Sequence, residues 1–154
     1  MGKKFELTDK FIINVFGIKL FQIKCTKSFK YAQKGDLGGY VEKEGNLDQE
    51  NDAWVYGDAK VYGNAWVYGN ARVYGNANIK NNNEHCGFDG FGSCNRHTHA
   101  YLTKEKKVEI TCGCFRGSIE EFEKKVEETH SGTIYEKQYK AIINVIKIKF
   151  GLTD

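Results

Sequence analysis

The chain contains no proline, and its first histidine stands at position 85. Without proline, every backbone amide in the 154 residues can donate, which suits an extended middle built on hydrogen-bonded ladders. Without histidine, residues 1–84 lack the side chain used most often as a general base near neutral pH and as a zinc ligand. Long apolar runs are missing too. The stretch 11–16 is too short and too soon interrupted for the core of an export signal, and no run approaches membrane-spanning length. A cytoplasmic protein with no membrane association is therefore expected. Neither sign of charge dominates: 23 basic and 20 acidic side chains leave a net +3, spread along the chain without a polybasic tail. No nucleic-acid polymer is expected as a partner on that account. The five cysteines, Cys25, Cys86, Cys94, Cys112 and Cys114, are odd in number. With no export signal, they predict reduced thiols or a metal site rather than a disulfide framework. The length suffices to bury a core unaided, and no cofactor is expected.

What is present is a repeat. Over residues 55–78 the unit Val-Tyr-Gly-Asp/Asn-Ala-x recurs four times without insertion. Aliphatic residues stand at Val55, Val61, Val67, Val73 and Ile79, with alanines four places after each of the first four, at Ala59, Ala65, Ala71 and Ala77. The frame extends backwards to Tyr31, giving nine hexads over residues 31–84. A period of six matches neither a helix nor a plain strand, but it combines a short extended stretch with a corner. Each alanine and the aliphatic residue two places later then point inward, and the glycine or asparagine at the third place turns the corner. Three such sides make a triangular coil. The predicted fold class is mainly β: a short left-handed parallel β-helix with an N-terminal β-hairpin cap and a C-terminal α+β unit of one β-hairpin and two helices. A meander of hairpins would not hold one frame across so many repeats.

The predicted division is an N-terminal cap over residues 1–30, the β-helix over 31–86 and the α+β domain over 87–154. Residues 11–16 and 17–25 read as the cap's hairpin. Residues 87–93 read as a glycine-rich loop, with strands over 95–103 and 108–115. Ser118 and Glu121 form a capping box opening a helix through His130, striped by Ile119, Phe122 and Val126. Thr133 and Glu136 open a second helix with Tyr135, Tyr139, Ile142, Ile143 and Ile146 facing inward.

The hexads resemble those of hexapeptide-repeat proteins, a family that includes trimeric acyltransferases and the gamma class of carbonic anhydrases. That resemblance implies a homotrimer. Three stretches taken together, Lys34-Gly-Asp-Leu-Gly-Gly-Tyr-Val-Glu42, the Val-Tyr-Gly-Asn-Ala run and Thr111-Cys-Gly-Cys-Phe-Arg-Gly-Ser-Ile-Glu-Glu-Phe122, resemble small phage and prophage proteins of gut bacteria. This resemblance covers nearly the whole chain and implies a location in the bacterial host cytoplasm. One departure is visible. Relatives tend to carry Gly-Ser-Arg-Asn followed by threonines, where this chain has Gly92-Ser-Cys-Asn-Arg-His-Thr-His99.

That loop is the densest collection of ligand-capable groups. Its glycines let amides turn toward an anion, Ser93, Asn95 and Thr98 offer hydrogen bonds, and Arg96 offers a fork suited to phosphate. If extended, His97, His99 and Tyr101 share a face able to stack on a base, and Arg116, just before the first helix, adds a second phosphate contact. A connector with surface histidines is the plain alternative. A metal site competes for Cys86, Cys94, His97, His99, Cys112 and Cys114, but Val108, Ile110, Cys112 and Cys114 form one apolar stripe, which core cysteines explain better. The outward aromatics Trp54, Trp66, Tyr56, Tyr62, Tyr68 and Tyr74 suit packing against other subunits or the C-terminal unit.

The expected function is that of a non-enzymatic, trimeric phage-type protein binding a small phosphorylated or nucleotide ligand, in the manner of a sponge for a nucleotide immune signal. The site residues are Ser93, Asn95, Arg96, His97, Thr98, His99, Tyr101 and Arg116, with no catalytic residue and no metal. Two alternatives stand beside it: an inhibitor docking on a host defence protein, and an acyltransferase-like enzyme.

Overall fold

A computed structural model describes residues 2–152 of the chain. The chain divides into two compact units, residues 1–82 and 83–154.

The first unit opens with β1 (Phe5–Ile13) and β2 (Lys19–Cys25), an antiparallel pair. Their turn forms because Asn14 Oδ1 accepts from the amides of Phe16 and Ile18 at 2.9 and 3.0 Å, while Gly17 takes the left-handed conformation at φ +80°. β3 (Leu37–Val41) pairs antiparallel with β2. Then come four two-residue strands from the repeats: β4 (Trp54–Val55), β5 (Lys60–Val61), β6 (Arg72–Val73) and β7 (Asn78–Ile79). All their pairings are parallel, Val41 with Val61, Val61 with Ile79, and Val55 with Val73.

The reason the stretches are so short lies in the hexad. After each Val-Tyr the next glycine turns the chain, with φ between +55° and +64° at Gly57, Gly63 and Gly69. The alanine amide then closes the turn on the tyrosine carbonyl, as from Ala59 to Tyr56 at 3.1 Å and from Ala77 to Tyr74 at 2.9 Å. Val55, Ala59, Val61, Ala65, Val67, Ala71, Val73, Ala77 and Ile79 are all buried, so the repeat does mark the core.

The second unit holds β8 (His85–Phe91), β9 (Arg96–Leu102), β10 (Val108–Cys112) and β11 (Phe115–Ser118), then α1 (Ile119–His130) and α2 (Ile134–Lys149). The strands form one antiparallel sheet in the order β11-β10-β9-β8. Ser118 caps α1 through the reciprocal bonds of a capping box, and Thr133 accepts from the Glu136 amide to start α2. Ile119, Phe122 and Val126 of α1 pack with Tyr139, Ile142, Ile143 and Ile146 of α2 on Ala100, Ile110 and Cys112. Among the described residues no helix is long and apolar enough to cross a membrane.

The predicted fold class is corrected by these elements. The chain is a mixed α and β protein with eleven strands in three separate sheets and two helices among the described residues, not a mainly-β left-handed β-helix. The physical reason is that a hexad contributes only two laddered residues before its glycine turn. β5 and β7 extend the sheet that β1, β2 and β3 establish, while β4 and β6 pair apart from it. The C-terminal portion also carries four strands where one hairpin was expected: most of the stretch 87–93, read as a glycine-rich loop, belongs to β8, and Phe115–Ser118 adds β11. Gly87 stands where the neighbouring His97 and His99 rings leave no room for a side chain, and Gly90 takes a left-handed φ of +86°.

Lys4 ties the start of β1 to the least regular hexad. It is buried, and its Nζ donates to the carbonyls of Asn51 and Ala53, each at 2.6 Å. Burial pulls its ammonium down to about 8, against the pull of Asp48 and Asp52. Gln49 adds to the joint by accepting from the Lys4 and Phe5 amides at 2.8 and 3.1 Å. Replacing Lys4 by Met keeps the stem but strands two carbonyls, so Lys4→Met is expected to cost about 2–4 kcal/mol in urea unfolding. A loss under about 0.5 kcal/mol would show that water replaces the ammonium.

Candidate ligand pocket and histidine chain

Side-chain alternation along β9 divides its residues between two faces. Arg96, Thr98 and Ala100 point to the helices, and His97, His99 and Tyr101 point away. Each face builds a different arrangement.

On the helix side lies a cavity of about 400 Å³. It is bounded by Arg96 from β9, by Cys112, Cys114, Phe115 and Arg116 around the β10–β11 turn, by Phe122, Lys125, Val126, Thr129 and His130 of α1, and by Tyr139 of α2. The walls are aromatic: Phe115 lies 5.1 Å from Phe122, Phe122 meets Tyr139 edge-on at 5.5 Å, and His130 stacks on Tyr139 at 5.6 Å. Burial, reinforced by neighbouring Cys112, pushes the Tyr139 phenol up, so its hydroxyl stays protonated and able to donate. Two glycines make this wall possible. Any Cβ at Gly92 would strike the Tyr139 hydroxyl, and any Cβ at Gly113 would strike Arg96 Nη1; both also have positive φ.

The lining carries three permanent cations, Arg96, Arg116 and Lys125, and no carboxylate. Arg96 lies over Gly113 with Nη2 3.8 Å from Cys94 Sγ. Arg116 is steadier, since its Nε meets Glu109 Oε2 at 3.2 Å and the Tyr101 hydroxyl donates to that same oxygen. Arg116 thus borders the cavity with part of its charge already answered.

On the other face the histidines join end to end. His97 Nδ1 lies 2.7 Å from Asp89 Oδ1, His97 Nε2 lies 2.9 Å from His99 Nδ1, and His99 Nε2 lies 2.9 Å from His85 Nδ1. His99 is fully buried and His85 nearly so, while the Asp89 side chain is 64% exposed. The rings lie over Gly87, where a Cβ would come within 2.6 Å of His97 Cε1 and 2.7 Å of His99 Nδ1. Burial holds the His85 imidazole down at about 4, helped by the Lys149 charge, and holds His99 well below the ordinary range, with His85 and His97 adding to the effect.

Of the residues expected to bind a ligand, Arg96 and Arg116 reach the cavity. Thr98 is buried, donating to Cys112 Sγ at 3.2 Å, and Tyr101 is buried on Glu109. His97 and His99 are taken up in the chain just described. Ser93 and Asn95 lie exposed in the β8–β9 turn, Asn95 at φ +50°. Lys125, Thr129, His130 and Tyr139 were missed as site residues; Lys125 and Thr129 alone stand i, i+4 on α1. Among the described residues no group of three or more His, Cys, Asp or Glu side chains is arranged to hold a metal ion. No family model and no curated protein matches the chain.

The depressed histidines fix a pH dependence. Below about pH 6.5 an unfolded histidine binds its proton while the folded His85 and His99 do not, so the unfolded chain takes up more protons and stability falls with pH. For His85 alone the loss between pH 6.5 and 4 is about 3 kcal/mol. Denaturant titrations at pH 7.0, 5.5 and 4.5 read it directly. A flat profile would mean the rings are exposed to water.

Proposed function

We propose that the chain is a non-enzymatic binding protein for a small phosphorylated ligand with a planar apolar part, held in the cavity between the β10–β11 turn and the helices. The observation carrying this reading is the lining itself: Arg96, Arg116 and Lys125 with no carboxylate, set against Phe115, Phe122 and Tyr139. Guanidinium groups match phosphate oxygens in pairs, and aromatic walls favour a base or similar ring. A volume of about 400 Å³ falls in the range of small-ligand sites. The resemblance to small phage proteins suggests the use, sequestration of a nucleotide signal of bacterial immunity, which calls for tight binding without turnover.

A second reading has its own observation. The β1–β2 turn exposes Val15 at 93% and Phe16 at 67%, beside exposed Ile13 and Phe11, and the stacked pair Trp66 and Tyr68 is exposed elsewhere in the same unit. Such groups suit an inhibitor that docks on a protein.

Calorimetric titration with inorganic phosphate and with mono-, di- and cyclic nucleotides separates the two. The ligand reading expects saturable binding that Arg96→Ala weakens roughly tenfold or more. Silence across the panel, or equal affinity in Arg96→Ala, removes it and leaves the docking reading. An absorbance excess near 260 nm in the purified protein would favour the ligand before any titration.

A further inference from the structure

We propose that Asp89, His97, His99 and His85 form a proton relay with a capacity of one proton, running from the exposed carboxylate to the buried His85 ring. The proposal is independent of the ligand pocket, which occupies the opposite face of β9.

An ionised carboxylate only accepts, so the 2.7 Å contact requires a proton on His97 Nδ1. A neutral His97 then has a bare Nε2, so the 2.9 Å contact beyond it requires the proton on His99 Nδ1. By the same step His99 Nε2 is bare and His85 Nδ1 carries the proton. One carboxylate therefore sets the tautomer of three rings, all Nδ1–H, although the outermost and innermost rings share no contact. Free imidazole side chains favour the other tautomer, so this is a state the chain imposes.

Adding one proton reverses the series without breaking it. An N–H bond forms at His85 Nε2; the proton on His85 Nδ1 passes to His99 Nε2, and the proton on His99 Nδ1 passes to His97 Nε2. His97 becomes the imidazolium, next to the Asp89 carboxylate, and every contact again has one donor and one acceptor. His85 Nε2 has meanwhile changed from acceptor to donor. A second proton has no such place, because two N–H groups would then face each other across a 2.9 Å gap. The rings hold one proton together and report its presence at the buried end.

The surroundings favour the outer end for the charge. Asp89 lies against the outermost ring of the series. At the inner end Lys149 of α2 repels a cation on His85, and Cys86, its thiol raised by burial, supplies no anion. In the sheet Tyr101 stands opposite His85 and Thr111 opposite His99, and Tyr101 donates to Glu109 rather than to a histidine.

Long-range ¹H–¹⁵N correlation spectra of histidine-labelled protein test this, with His130, the remaining histidine of four, as internal reference. At pH 9 His85, His97 and His99 are expected as Nδ1–H tautomers. On acidification all three are expected to change together at one midpoint, distinct from that of His130. In Asp89→Asn, a change at an exposed position, the shared midpoint is expected to fall by about one pH unit or more, because the imidazolium loses its counter-ion. An Nε2–H tautomer for any of the three at pH 9, or three separate midpoints in the unmodified chain, overturns the proposal. Should Asp89→Asn leave the midpoint unchanged, the carboxylate is not part of the relay and the proposal likewise fails.

Discussion

Much of this structure depends on one constraint, that a polar group taken out of water must keep a hydrogen-bond partner. In the first unit the hexads satisfy it with ladder and turn bonds, supplemented by side chains where the ladder leaves a group over. Lys4 answers the carbonyls of Asn51 and Ala53. Asn46, with no exposed surface, donates to the carbonyls of Ala65 and Gly63 at 2.8 and 3.2 Å and accepts from the Lys43 amide at 3.0 Å. In the second unit the constraint is met by series of side chains, Asp89 through His85 and Tyr101 through Glu109 to Arg116. Among the described residues Asn14 Nδ2 is the buried side-chain atom left without a partner, at a turn that its own Oδ1 holds together.

The same constraint explains which parts of the fold were legible. Periodic burial was: the valines and alanines of the hexads, the stripe of α1 and the inward face of α2 follow directly from spacing, as do the Ser118 and Thr133 caps. Sheet membership was not. A Val-Tyr-Gly unit fixes a short extended stretch and a turn but does not specify which ladder the stretch joins, so the local pattern is compatible with one uniform coil or with strands shared between sheets. Residues 87–91 misled for a related reason. Gly87 and Gly90 look like loop residues, yet Gly87 is required by the histidine rings above it and Gly90 by a left-handed φ at a shift in register. A glycine demanded by a neighbour's bulk cannot be told from one demanded by backbone freedom until that neighbour is placed.

The candidate pocket was half legible for a similar reason. Arg96 and Arg116 stood out because they interrupt a small-residue loop and precede a capping box. Lys125, Thr129 and His130 sit on the outward side of an amphipathic helix, where charged residues are ordinary and carry no signal of their own. Their meaning comes from Phe115 and Tyr139, which arrive from other elements and turn the end of α1 into one wall of a cavity. A site assembled from β9, the β10–β11 turn and both helices is a property of packing, and packing is what short-range spacing does not encode.

The two chemistries of the second unit are bound together by the period of a strand. Because successive side chains of β9 point to opposite faces, Arg96 and Thr98 are given to the helices while His97 and His99 are given to the relay. Slipping the strand by one residue would exchange them, placing imidazoles among Ile110, Phe122 and Tyr139 and an arginine over Gly87. Neither face tolerates that exchange: the apolar face offers the histidines no partner, and the space above Gly87 is already filled by flat rings at contact distance. The cluster that looked like a single binding motif in the sequence is therefore two motifs interleaved. Its register is held from both sides, by apolar packing on one and by a directional series of hydrogen bonds on the other.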